Sequence, residues 1–478
     1  MRHLLLTRVF VSLSAISLAG CAAMNGAGAR SHERRPQDLQ AAATVAAVRI
    51  DAGTWPATNW WKAFGDPQLD RIEEEALAES PSLGIAQSRV DSARALVGAA
   101  RAPLLPSLDG DLSITRERLS GHDVIPPPFG GTTQTESRAA LDFSYEFDFW
   151  GKNRAALAAA TDNEAAARVD AFAARLVLSS AVASTYVQLA RLHDQLDIEQ
   201  RTLQQRQQIY DLTQQLVTAG LGSRVELKQA EGQVPATRET LAALQESLTT
   251  TRNQLAALMG QGPDRALSIQ PPKLRSIDTD AVLPAQLPAD LLGRRPDVHA
   301  SRLRVEAASQ NIKVAKARFY PNVNLLAFLG LQSIGLSQLV DAGSRVEGIG
   351  PAVRLPIFEG GKLRSELAAR NADYDAAVNQ YDQTLIEGLR EIADRLAAFR
   401  SVASQTQYHE EASAAARDAY DLSLQRYREG VGTYLTVLSA ESQVLQQEHL
   451  GADLRARELA DHIDLVRALG GGFTETVP

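Results

Sequence analysis

The chain repeats itself, and that constrains its fold more than any other feature. Ser80-Pro81-Ser82-Leu83 is matched by Arg295-Pro296-Asp297-Val298, 215 positions further on. At the same offset Arg89-Val90 falls on Arg304-Val305, Ala102 on Ala317, and Pro106 on Pro321. The offset then becomes 210: Gly151-Lys152 meets Gly361-Lys362, and Tyr210-Asp211-Leu212 meets Tyr420-Asp421-Leu422. Gly220 and Gly222 meet Gly430 and Gly432, and Ala230-Glu231 meets Ala440-Glu441. Shared helical composition could produce matching alanines, but not paired glycines and prolines in order. The shift of five predicts a longer loop in the first copy between Pro106 and Gly151, in the stretch Gly121 to Gly131 that holds Pro126-Pro127-Pro128.

Each copy reads as helix, two strands, long helix, turn, helix. From Lys152 to Ala219 there is neither glycine nor proline, and from Lys362 to Glu429 only Gly388. An unbroken helix of that length would reach about 100 Å. Val182, Tyr186, Leu189, Leu196 and Leu203 recur at three-, four- and seven-residue steps, a stripe that packs helix on helix. The intervening segments alternate instead. Leu141, Phe143, Tyr145, Phe147 and Phe149 share one phase; Asp142, Ser144, Glu146 and Asp148 share the other. Leu108, Leu112 and Ile114 likewise alternate with Asp109, Asp111, Ser113 and Thr115. Val323 to Leu331 and Ile349 to Ile357 keep one apolar phase, with a less polar opposite phase.

Segments of about ten residues suit a bilayer-crossing strand, although a sheet packed on helices would alternate too. The N-terminus tips the balance. Arg2, His3 and Arg8 precede an apolar run from Val9 to Ala19, too short to span a membrane, that ends in Leu18-Ala19-Gly20-Cys21. Small residues before the chain's one cysteine resemble a bacterial lipobox, which implies cleavage before Cys21 and lipid on its thiol; the plainer reading is an export signal with an incidental cysteine. Beyond Ala19 no apolar stretch is expected to reach the roughly 20 residues of a spanning helix, so further insertion must use strands. Four strands cannot close a barrel, and open edges are not tolerated in lipid. The chain must therefore assemble with copies of itself. The polar phase would then place Asp109, Asp111, Asp142, Glu146 and Asp148 in the lumen, where they would attract cations.

At this point the chain resembles the TolC family of outer-membrane efflux factors, in its lipoprotein branch often called NodT-type. The resemblance is carried by Asn59-Trp60-Trp61-Lys62-Ala63-Phe64-Gly65-Asp66-Pro67-Gln68-Leu69, by Leu291-Leu292-Gly293-Arg294-Arg295-Pro296-Asp297-Val298, by Ala315-Lys316-Ala317-Arg318-Phe319-Tyr320-Pro321, and by Gly430-Val431-Gly432-Thr433-Tyr434-Leu435-Thr436-Val437-Leu438. It implies an all-α part joined to a transmembrane β-barrel, with long antiparallel hairpins forming an α-barrel and four strands per protomer entering a shared trimeric barrel. It implies a homotrimer in the outer membrane of a Gram-negative bacterium, with a long periplasmic extension. It also implies a periplasmic adaptor and an inner-membrane pump of the RND or major-facilitator class. The wording from Phe319 to Leu325 leans toward the latter. The exported compounds would be drugs or toxic organics.

The expected layout is a signal peptide (1–20), anchor and linker (21–58), first repeat (59–260), linker (261–285), second repeat (286–470) and tail (471–478). Gly220-Leu221-Gly222-Ser223 and Gly430-Val431-Gly432-Thr433 each reverse the chain between helices. The glycines, Gly432 included, are expected at φ > 0, with Ser223 and Thr433 capping the next helix. By resemblance these turns form the periplasmic tip, gate and adaptor dock, held shut by Arg426, Tyr427, Arg428 and Tyr434 reaching a neighbouring helix. The first return helix should be weakened by Gly232 and Pro235. Ser439 stands where relatives often carry an aspartate, so Glu441 and Glu226 become the nearby acids.

Other functions fit less well. Net charge is -8, with no basic stripe for nucleic acid. His193, His299, His409, His449 and His462 are scattered, without metal-ligand spacing. Gly360-Gly361-Lys362 lacks the rest of a phosphate-binding loop, and no nucleophile elbow occurs. Neither cofactor nor catalysis is expected. The remaining rival is a lipid-anchored periplasmic coiled-coil scaffold without a pore, which would not need the Phe143 to Phe149 alternation.

Overall fold

The computed structural model describes residues 28–34, 55–122, 125, 128–275 and 294–474. The expected signal peptide, Cys21 and most of the anchor segment, much of the inter-repeat linker, and the last four tail residues lie outside them. The elements follow the duplication. The first copy has α1 (Pro67–Glu79), α2 (Pro81–Arg101), β1 (Ser107–Arg118), β2 (Thr133–Phe147), α3 (Lys152–Thr218) and α4 (Arg224–Leu258). The second has α5 (Pro296–Ala317), β3 (Asn322–Ile334), β4 (Arg345–Arg354), α6 (Lys362–Arg428) and α7 (Tyr434–Ala468). At the 210 offset α6 and α7 start and stop where α3 and α4 do. The longer first-copy loop, 119–132, lies between β1 and β2, against 335–344 in the second copy.

Two compact units divide the chain, each drawing on both repeats. Among the described residues, one comprises those up to Glu33, Arg89–Ala167 and Ala300–Asp382; the other comprises those within Arg34–Ser88, Arg168–His299 and from Gln383 onward.

The first unit carries an antiparallel sheet in the order β1-β2-β3-β4. One register row reads Asp109, Asp142, Phe328, Gly348; the row beside it reads Asp111, Ala140, Gly330, Val346. The other phase presents Leu108, Leu112, Ile114, Leu141, Leu329, Ile349 and Val353, all exposed. β1 and β4 are the edges, and among the described residues neither has a second partner. β4 begins before and ends short of the expected 349–357. β2 ends at Phe147, so Phe149 lies in the following turn, its ring still stacked on that of Phe147 at 5.7 Å.

The second unit holds the main core. Trp60, Trp61 and Phe64, on a short 3-10 turn, pack with Leu69 and Ile72 of α1, Val182, Tyr186 and Leu189 of α3, and Leu255 of α4. This gives the tryptophan-rich motif its physical role. Asp66 caps α1 by accepting from the Gln68 amide at 2.9 Å, and also accepts from the Tyr186 hydroxyl at 2.7 Å and the Lys273 amide at 2.8 Å. Burial pushes this carboxyl up, but these hydrogen bonds outweigh it and hold the acid below its ordinary value. Contrary to expectation, α3 contains an 18-residue window apolar enough, by length and composition, to cross a membrane. More than half of that window is buried, and α3 supplies core residues instead.

Candidate functional site

The two helix-reversing turns have nearly the same construction. In the first, Leu221 donates its amide to the Leu216 carbonyl at 2.8 Å and Gly220 donates to Val217 at 3.1 Å. In the second, Val431 donates to Arg426 and Gly430 to Tyr427, both at 3.0 Å. Such six-to-one closure needs a left-handed residue at its centre, and Gly220 (φ 73°) and Gly430 (φ 74°) supply it. Gly222 and Gly432 do not take positive φ, which corrects the expectation for Gly432. They are glycine because the chain closes on itself there. A Cβ on Gly432 would stand 3.0 Å from the Tyr427 amide nitrogen, and one on Gly222 3.1 Å from the Val217 side chain.

Ser223 accepts from the Glu226 amide at 3.2 Å while the Glu226 carboxylate accepts from the Ser223 amide at 3.0 Å, a complete capping box. Thr433 accepts from the Thr436 amide at 3.4 Å, and with threonine in the reciprocal position the second cap is one-sided. Glu226 is thus engaged in its own turn. α4 runs unbroken through Gly232 and Pro235.

Behind the turns, Ile209, Ala230, Tyr420, Tyr427, Tyr434 and Val437 form a small core. Tyr427 and Tyr434, both buried, set their rings 6.1 Å apart, and the Tyr427 hydroxyl lies 3.0 Å from that of Thr213. Their reach is therefore within the protomer. Arg426, Arg428 and Ser439 are exposed, and among the described residues neither arginine forms an ion pair. Glu441 is buried, 3.4 Å from Arg206, which also donates to Thr237 at 2.8 Å. Burial pushes the Glu441 carboxyl up, and Arg206 offsets only part of this. Burial likewise pushes the Tyr434 phenol up to about 12. Glu441 is thus an interior group.

Sequence reasoning missed the polar links of this region. Gln205 donates to the Tyr420 hydroxyl, and His449 meets Glu199 at 2.9 Å. Arg206, Glu199 and Glu441 read as surface charges until the helices are brought together. It also missed that Leu221, Val225, Val431 and Leu435 are exposed aliphatics at matching repeat positions.

In the sheet, Asp109, Asp111, Asp142 and Glu146 occupy one phase, but not as free acids. Arg138 donates to Asp111 at 2.7 Å and to Asp142 at 2.6 Å, and Lys152 pairs with Glu146 at 2.6 Å. Asp109 has no ion pair among the described residues. Asp148 is off the strand. It accepts from the Asn153 amide at 3.1 Å and the Arg154 amide at 2.9 Å, so it caps α3.

A family model described as outer membrane efflux protein matches residues 73–261 and 287–471, one span for each repeat. The chain belongs to that family. This efflux protein is 36% identical to the fusaric acid resistance protein FusA of Burkholderia cepacia, over 97% of this chain and 88% of FusA. It is 32% identical to the pyoverdine export outer membrane protein OpmQ of Pseudomonas putida, over 88% of this chain and 90% of OpmQ. The outer membrane protein VceC of Vibrio cholerae superposes with a TM-score of 0.81 at 38% identity, covering 88% of this chain and all of VceC. The efflux protein therefore has the fold of a TolC-like outer-membrane channel and works as the outer-membrane component of an efflux system. The family's work is transport.

Proposed function

We propose that three copies of this protein close one barrel, each giving four strands, and that the barrel is the exit for small organic molecules. The observation that carries this is the sheet. Among the described residues both edges are open, one phase is exposed and largely aliphatic with the Arg345–Glu347 pair at one end, and the other carries Asp109, Asp111, Arg138, Asp142 and Glu146. Such a sheet suits lipid only when its edges are paired by further copies. The polar phase, whose Asp109 has no ion pair among the described residues, then lines the pore. Cys21 carries lipid that adds to outer-membrane attachment. The pyoverdine exporter and fusaric acid resistance protein among the relatives support charged or amphiphilic aromatic organics as cargo. Cross-linking in membranes should stop at a trimer, and purified protein should conduct in planar bilayers. A monomer without conductance would overturn this reading. Mass spectrometry of the mature N-terminus should show acylated Cys21, and an unmodified terminus would remove the anchor alone.

The two turns form the tip that meets a periplasmic adaptor, with an RND or major-facilitator pump behind it. Leu221, Val225, Val431 and Leu435 support this, since exposed aliphatics at the same positions in both repeats suit a helical partner that grips the two turns alike. Leu221→Asp with Val431→Asp should abolish export while leaving membrane assembly and resting conductance intact. Undiminished export would overturn the docking assignment.

A further inference from the structure

The described N-terminal residues 28–33 belong to the unit that carries the sheet. There Asp375 of α6 accepts two successive backbone amides with one oxygen, from Arg30 at 2.8 Å and from Ser31 at 2.8 Å. One turn further along α6, Asn379 donates to the Ser31 hydroxyl at 3.4 Å and to the Asp375 carbonyl at 2.7 Å. Two adjacent amides pointing at one carboxylate is a directed arrangement, because extended chain normally turns successive amides to opposite sides. The Ser31 amide, helped by that of Arg30, holds the Asp375 carboxyl below its ordinary value.

We propose that Asp375 and Asn379 form a clasp that fastens the leader to α6 and so sets how far the lipid on Cys21 can reach. The proposal rests on Cys21 being acylated and on the sheet spanning the membrane. The lengths agree. Nine residue steps lead from Cys21 to Arg30, a contour of about 30 Å at most. Asp375 lies 13 residues into α6 from Lys362, about 20 Å along the helix. The clasped leader can therefore reach the strand-end level, with about three residues to spare. That places the lipid in the leaflet nearer the helices.

The test uses the full-length protein in outer membranes and reads trypsin cleavage after Arg30 by mass spectrometry. Four proteins are compared: wild type, Asp375→Ala, a deletion of Met24–Ala27, and the same deletion with Cys21→Ala on an ordinary export signal. Asp375→Ala should be cut about tenfold faster or more, since proteolysis follows the population of the released segment. Asp375→Asn, which keeps an acceptor oxygen, should fall between the two. The deletion shortens the reach to roughly 17 Å, less than the helix distance, so anchor and clasp cannot both hold. Cleavage should therefore be fast in the acylated deletion and slow again once Cys21 is replaced. Equal cleavage of wild type and Asp375→Ala would overturn the clasp. Fast cleavage of the deletion with or without Cys21 would overturn the reach argument while leaving the clasp. An unacylated terminus in wild type would fault the anchor reading and not the clasp.

Discussion

The guanidinium of Arg295 lies across Gly388, so close that a Cβ on the glycine would stand 3.1 Å from Nε and 3.2 Å from Cζ. Arg295 is buried and donates to Asp297 at 2.6 Å, Glu391 at 2.9 Å and the Ala468 carbonyl at 3.0 Å. The single glycine of α6 is therefore the seat of an arginine. Gly388→Ala should be nearly neutral, because a contact at 3.1 Å is offset by roughly 1 kcal/mol of helix preference. Gly388→Leu must displace the guanidinium and leave Glu391 unpaired, at a cost of about 3 kcal/mol or more. Thermal unfolding of both variants in detergent checks the contrast. Equal melting temperatures would show that Arg295 is free to move.

The turn glycines should separate by mechanism. Gly430→Ala strains a left-handed residue by roughly 1–2 kcal/mol, which the turn can bear. Gly432→Val drives atoms into the Tyr427 backbone, and Tyr427 is buried. Export measured by drug susceptibility should survive the first change and fail with the second, with the trimer present on gels in both. Loss of export in Gly430→Ala alone would reverse the ranking of strain and contact.

Tyr434→Ala should open a cavity behind the second turn at about 3–5 kcal/mol and raise single-channel conductance by loosening the tip. Arg428→Ala, on an exposed side chain, should leave melting unchanged within about 0.5 kcal/mol. Any conductance increase from Arg428→Ala alone would then report contacts between copies. If Tyr434→Ala leaves both melting and conductance untouched, the small tyrosine core does not brace the tip.

Glu73 is fully buried with neither oxygen hydrogen-bonded, and burial pushes its carboxyl up to about 9, against the pull of Arg175. The folded protein keeps this proton while the unfolded chain releases it near the ordinary carboxylate value. The two states bind it alike below about 4.5, and stability falls as pH rises from there to about 9. The slope tends to about 1.4 kcal/mol per unit. Glu73→Gln should flatten this loss. Melting temperatures of wild type and variant should diverge between pH 5 and 9, and parallel curves would show that Glu73 is ionised in the folded protein.

Arg138 and Asp109 should move ion selectivity in opposite directions. Arg138→Gln releases Asp111 and Asp142 and should increase cation preference in planar bilayers. Asp109→Asn removes the acid that has no ion pair among the described residues and should reduce it. Reversal potentials measured across a salt gradient decide. No change in either would place this phase of the sheet away from the pore.

The architecture was legible because the signals were periodic and doubled. Glycines matched at the 210 offset marked the ends of α3, α4, α6 and α7, and alternation found the strands. Asp148 was misjudged because it keeps strand phase for one residue past the last ladder bond. Alternation cannot tell a final strand position from a helix cap. Which neighbours Glu441 and Tyr434 meet was not legible, because side-chain length does not say which neighbour is reached. That depends on how α3 and α7 pack, which only coordinates supply. The seat for Arg295 was visible as a lone Gly388, without any sign of its occupant.

The open edges of β1 and β4 also bear on inheritance. In the proposed ring of three, each copy lends an edge to both neighbours, so one faulty strand spoils a barrel that contains two sound copies. A cell making equal amounts of sound and faulty chain would build wholly sound rings only about one time in eight. A substitution confined to an edge strand should thus act as a dominant allele, whereas one that prevents folding altogether, and so never enters a ring, should be recessive.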